Sequence, residues 1–233
     1  MKRFRVVIAT TEGPSEVQTL SIEHPEIRSV VCVDGKSKAL PISAAYDSFI
    51  RQPTGTIERD FGHAASRVDV SMPISGGLSW QLGIYAAHLL SSLNGLAQKD
   101  ETTSELLWMT GEIDHDLNVR PVQGVRDKII KSQSLFDQAS RNGVNVRIFL
   151  PKQNVNEARA IIGTKIEIIE LTSVHELYEK ISGSALGSPP VKKPFAFKYL
   201  QILNPKSPIS LSRTFWFLIL LGAFTSVSLF IGM

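Results

Sequence analysis

The sequence predicts an α+β domain of mixed sheets with packed helices, followed by a linker and a C-terminal transmembrane helix. Three observations lead there. Short runs with apolar residues at every second position recur through the first 171 residues. In the second half these runs alternate with stretches of helical period, the pattern of a layered α and β domain. The last twenty residues, 214–233, carry no charge.

Taken in order, "FRVVIAT" and "EVQTLSIEH" predict strands paired around a turn at Gly13-Pro14. "SVVCVDG" predicts a third strand and "LPISAAYDSFIRQ" a short helix. "SRVDVSMP" alternates and leads into a glycine-containing loop. "WQLGIYAAHLLSSL" predicts a helix with Leu82, Tyr85, Ala86, Leu89 and Leu93 on one face. "LLWMTGEI" predicts a single strand, and "EIDHDLN" a hairpin turn. "VRDKIIKSQSLFDQASRNG" is a helix ended by Gly143. "VNVRIFLP" and "KIEIIEL" are strands, separated by a helix in "NVNEARAIIG". "SVHELYEKI" is the final helix.

The domain therefore spans 1–181. From Ser182 the chain turns to Gly, Ser and Pro, then to scattered Lys and Arg, which predicts a basic linker over 182–213. A helix over 214–233 would rise about 30 Å, the thickness of a bilayer's hydrocarbon core. Eleven of its residues are Leu, Ile, Val or Phe, favouring insertion by roughly 3–7 kcal/mol before the polar residues are counted. The nearby Lys and Arg all precede the span, so the positive-inside tendency places the large domain in the cytoplasm. The expectation is a single-pass, tail-anchored membrane protein, with Trp216 as an interface anchor.

Composition narrows the function classes. The chain is 43% apolar and 20% charged, with a net charge of +3, too small to argue for a nucleic-acid partner. The N-terminus lacks the apolar length of a signal peptide. The one cysteine, Cys32, sits in a strand pattern and predicts a buried core thiol. His24, His63, His88, His115 and His175 show no metal-ligand spacing with each other or with Cys and Asp, so no metal and no cofactor is expected. "VDGKSKA" holds a Gly-Lys-Ser, but Val30 stands where a phosphate-binding loop needs its first glycine.

One serine stands out. In "SMPISGGLSWQLG", Ser79 follows a glycine pair and precedes a long apolar helix. It either caps that helix or acts as a nucleophile. A serine hydroxyl needs a base, and His88, more than two turns along the same helix, is too far to serve. A lysine serves if burial lowers its pKa from about 10.4 to about 7–8. Lys128 shares a helix face with Val125 and Ile129 at i, i+3 and i+4. It is either such a buried base or a lysine that snorkels to the surface.

"TGEIDHDLNVRPVQGVRDKIIKSQ", followed by "GVNVRIFLPKQN", resembles the proteolytic domain of Lon proteases, and Pro73 with "GLSWQLG" matches that family's upstream serine segment. The order of "IFLPKQN", "EIIEL" and "SVHELYEKI" fits as well. The resemblance covers residues 65–181. It implies a serine endopeptidase with a Ser–Lys dyad, Ser79 as nucleophile and Lys128 as base, and a protein substrate. It further implies that Thr110 holds the lysine, that Gly76 and Gly77 let substrate approach the backbone, and that amides near Ser79 receive the oxyanion. A homo-oligomeric ring is a further family implication.

Three departures shape the expectations. Trp80 and Gln81 follow the serine where the family has small residues, so Trp80 either lines a specificity pocket or blocks the cleft. Ser75 and Gly76 stand where the family often has an acidic residue. The ATPase module is missing from this chain, which restricts it to flexible segments, to one partner protein, or to work beside a separate unfoldase. The alternative is a non-catalytic Lon-like module anchored to a membrane for binding or assembly. A third reading limits cleavage to the chain itself or to one partner.

Overall fold

The computed structural model describes residues 2–51 and 55–182. The predicted linker beyond Ser182, which closes the last helix, and the membrane span lie outside the described residues, and no described helix is long and apolar enough to cross a membrane. The protein is mixed α and β, with a mostly parallel seven-stranded sheet and helices packed on it.

The chain opens with β1 (Phe4–Ala9), which turns at Thr10–Gly13 into the antiparallel β2 (Pro14–Ile22). Next come β3 (Val30–Val33), α1 (Ser43–Ile50), α2 (Thr56–Phe61) and β4 (Ser66–Val70). The second half runs α3 (Gln81–Ser92), β5 (Glu105–Met109), β6 (Glu112–Ile113), β7 (Val119–Arg120) and α4 (Val125–Arg141). It ends with β8 (Asn145–Pro151), α5 (Val155–Ile162), β9 (Glu167–Leu171) and α6 (Leu177–Ser182). Sheet order is β3-β4-β2-β1-β5-β8-β9; β1, β5, β8 and β9 run parallel to one another, β3 runs parallel to β4, and β2 is antiparallel to both β1 and β4.

The two-residue period of β1 sorts the core into two layers. Phe4, Val6 and Ile8 pack with α1, α2 and α3 on one face. Val7 and Ala9 pack with Val125 and Ile129 of α4, and with α5, on the other. Both faces are covered, as a parallel sheet requires. Gly83 is what lets α3 lie close to β1, because a Cβ there would stand 2.8 Å from Ile8 Cγ1.

The structure departs from the sequence expectations in four places. The helix α3 is buried on every side from Gln81 to Leu90 rather than along one face, because α1 and α2 cover the side away from the sheet. The short α2, closed by Gly62 at φ 75°, is too brief for its period to show in the sequence. "LLWMTGEI" is not one strand. It breaks at Thr110-Gly111, where Gly111 N–H donates to Ser79 O (3.0 Å) and Gly111 O accepts from Leu82 N (3.0 Å). Val119 and Leu82 crowd Gly111 so closely that a Cβ would meet them at 3.0–3.2 Å. The final helix begins as a 3-10 turn over Val174–Glu176, fixed by a Ser173/Glu176 capping box, before continuing as α6.

Behind α3 lies a buried polar chain. His88 is fully buried, with Nε2 3.0 Å from Tyr46 Oη and Nδ1 2.9 Å from His63 Nδ1. Tyr46 Oη continues to Ser66 Oγ at 2.6 Å. The nitrogen–nitrogen contact needs one ring to donate and the other to accept, so it cannot hold a proton on both facing atoms. Burial lowers the His63 pKa and pushes that of His88 well below the ordinary histidine value. A base with a depressed folded pKa stays neutral in the fold while the unfolded chain takes up protons, so its stabilisation is lost as pH falls below about 6.5. The urea midpoint should therefore drop between pH 7 and pH 5, and His88→Phe should flatten that slope. A midpoint independent of pH in the wild type would contradict this.

Candidate active site

The parallel strands β1 and β5 end side by side, with Ile8 paired to Met109. Beyond their carboxyl ends the chain opens a cleft of about 600 Å³, the place where parallel sheets commonly take ligands. Thr10, Thr11 and Glu12 line it from the β1–β2 turn, residues 74–80 from the loop before α3, and Pro121–Gln123 from the segment before α4. Ser79 comes from one face of the sheet and Lys128 from the other, and they meet past the strand ends.

Lys128 Nζ lies 2.9 Å from Ser79 Oγ and 2.9 Å from Thr110 Oγ1. Its residue is 3% exposed, and burial lowers its pKa to about 8 despite an opposing pull from the Glu157 carboxylate. Thr110 is fully buried at the break after β5. The helix around Lys128 is tied to the sheet: Trp108 Nε1 donates to Ser132 Oγ (2.8 Å), which donates to Lys128 O (2.7 Å). Helix α4 starts at Gly124, whose φ of 69° is easily adopted only by glycine, and a Cβ there would approach Thr11 Cγ2 to 3.2 Å.

The loop carrying Ser79 is fixed at several points. Gly77 has φ 71°, while Gly76 has an ordinary backbone and open space around it. Trp80 is 1% exposed. Its ring packs edge-on against Tyr46 and Phe49, and its Nε1 donates to Gly77 O (2.7 Å). The indole thus belongs to the core under the loop and leaves the cleft open. Gln81 is also buried, its Oε1 accepting from Ile113 N (2.8 Å) and so joining the serine loop to β6. Among the described residues, the N–H groups of Ser79 and Trp80 meet no protein acceptor.

The sequence reading missed four acidic or amide residues at this site. Glu12 and Glu112 line the cleft, and Glu12 accepts from Ser75 Oγ, which brings a carboxylate to the loop from another element. Asn154 and Glu157 hold the cleft wall and α4 from outside. Glu12, Asn154 and Glu157 carry no local pattern, because each acts across a long sequence separation. The histidines are placed elsewhere. His88 and His63 belong to the buried chain behind α3, and His115 is exposed on the β6–β7 turn, where Asp114 Oδ1 accepts from the N–H groups of Asp116 and Asn118. Among the described residues, no group of three His, Cys, Asp or Glu could hold a metal ion.

No protein-family model matches the chain, and no curated protein matches it either.

Proposed function

We propose that the protein is a Lon-like serine endopeptidase that cleaves flexible protein segments with Ser79 and Lys128, tethered to a membrane by its C-terminal segment. The observation that carries this is the 2.9 Å approach of a buried lysine with a lowered pKa to a half-buried serine at a cleft wall. The neutral amine has two N–H donors and one lone pair. One N–H reaches Thr110 Oγ1, which leaves the lone pair to face the Ser79 hydroxyl.

As Ser79 Oγ attacks the scissile carbonyl carbon, Lys128 takes the hydroxyl proton. The carbonyl π electrons move to oxygen, where the amides of Ser79 and Trp80, ahead of the α3 N-terminus, are the candidate donors. Lys128 then gives its proton to the leaving amine, and an ester on Ser79 remains. Water, deprotonated by the same amine, hydrolyses the ester and restores the serine. No nucleotide enters the cycle, so substrates are segments already unfolded, or delivered by a separate unfoldase. The membrane tether and the cytoplasmic placement of the domain rest on the sequence of residues 182–233.

The non-catalytic alternative arose from the bulk of Trp80, and that side chain is buried under the loop. An alkyl fluorophosphonate probe tests the choice. Wild type should become labelled at Ser79, while Ser79→Ala and Lys128→Ala should not, with casein cleavage following the same pattern. An unlabelled, folded wild type would leave the binding module as the better account.

A further inference from the structure

We propose that α5 is the positioning element of the dyad: Asn154 and Glu157 lock the cleft wall and the first turn of α4, and so hold Lys128 against Ser79. This rests on the peptidase reading above and assigns two residues that contact neither Ser79 nor the Lys128 amine.

The first lock is Asn154, which is 8% exposed and ends the 3-10 turn that follows β8. Its side-chain amide grips one residue through both backbone groups. Oδ1 accepts from Val122 N (3.0 Å), and Nδ2 donates to Val122 O (2.9 Å). An amide is the side chain that can accept and donate at once in this way. Val122 lines the cleft, and two residues later Gly124 begins α4. The grip therefore fixes the entry angle of the helix that bears Lys128.

The second lock is Glu157. The N-cap of α4 is a glycine and supplies no side-chain cap. Glu157 Oε1 fills that role from the neighbouring helix, accepting from Arg126 N (3.0 Å). A carboxylate there also complements the positive end of the α4 dipole. Its charge acts on the lysine as well. Glu157 raises the Lys128 pKa against the lowering effect of burial. The other ionisable groups near Lys128 are Glu12 and Glu112 in the cleft, with Arg126, Asp127 and Lys131 exposed on its own helix. Lys131 Nζ donates to Thr11 O.

Glu157→Gln separates position from charge, because Gln keeps the accepting oxygen and drops the negative charge. The acid limb of kcat/KM against pH should move to lower pH by about 0.2–0.7 unit, the range expected for losing one exposed charge. A purely structural cap would leave the limb in place. Asn154→Asp keeps the acceptor and loses the donor, whereas Asn154→Leu loses both. The turnover number should fall by about tenfold in the Asp variant and about a hundredfold in the Leu variant, since small misplacements of a catalytic group are costly. KM should change far less. The fluorophosphonate probe is run alongside on the wild type. If wild type is not labelled at Ser79, the peptidase reading itself fails. If it is labelled, yet Glu157→Gln leaves the acid limb unmoved and the Asn154 variants turn over at the wild-type rate, the positioning role is overturned. Should Asn154→Leu fail to fold, Glu157→Gln and Asn154→Asp decide alone.

Discussion

Replacing Lys128 with methionine should abolish peptide hydrolysis and at the same time make the protein more stable. Both effects follow from one fact: Lys128 is 3% exposed and its pKa is lowered from 10.5 to about 8. A shift of that size means the fold disfavours the charged form by about 3 kcal/mol. At pH 7 the folded chain carries that cost, because both folded and unfolded lysine are then mostly protonated. Methionine has similar length, no charge to bury and enough flexibility to fill the same space. The loss on the other side is the partner of two hydroxyls: Ser79 faces the cleft, where water takes the place of the lysine at little cost, and the buried Thr110 hydroxyl loses about 1–2 kcal/mol. The gain exceeds the loss by roughly 1–2 kcal/mol, which at this chain size raises Tm by about 2–8 °C. Activity should fall by about 10²–10⁴-fold, the contribution of a general base. Calorimetry and a casein assay on the same preparation check both halves. A Lys128→Met protein less stable than wild type would mean that the ammonium is held by favourable contacts and is not poised as a base.

The same lysine shows how far the sequence can be read. Val125, Lys128 and Ile129 share a helical face, and all three are buried. The choice between a buried base and a snorkelling side chain needed the tertiary structure, because it depends on what covers that face. Ser79 was legible from its glycines and the helix after it. Trp80 was not. Its neighbour's place on the cleft suggested a role there, but the turn at Ser79-Trp80 sends the indole down between Tyr46 and Phe49. The break at Thr110-Gly111 was hidden for a related reason. Its apolar run looks continuous, and what ends the strand is a pair of backbone bonds from Gly111 to Ser79 and Leu82. Asn154 and Glu157 were invisible because an amide gripping a backbone 32 residues away leaves no periodic trace. Alternation and helical period reveal which face is buried. They do not reveal which polar group is placed opposite which.

The rate of cleavage should depend on pH as the neutral fraction of one amine. With a pKa of about 8 for Lys128, kcat/KM should rise tenfold per unit up to that value and then level off. Activity at pH 6 should be about a hundredth of the plateau, and at pH 7 about a tenth. The sign is fixed by the environment. Burial penalises the ammonium and pulls the pKa down, and the Glu157 carboxylate pulls it partly back. A histidine base in its place would put the limb near 6.5. Buried His88 and its half-buried neighbour His63 would put theirs lower still, since burial depresses both. The acid limb therefore identifies the base without any substitution. Stability runs in the same direction over a higher window. Between about pH 8 and 10.5 the folded lysine is neutral while the unfolded one still holds its proton, so the unfolded state binds more protons and stability increases with pH. In Lys128→Met that increase should vanish while the loss of stability below pH 6.5 from His88 persists. The two ends of the pH axis thus report on two separate buried bases. A kcat/KM profile with its acid limb at 6.5 or below would remove Lys128 from the mechanism.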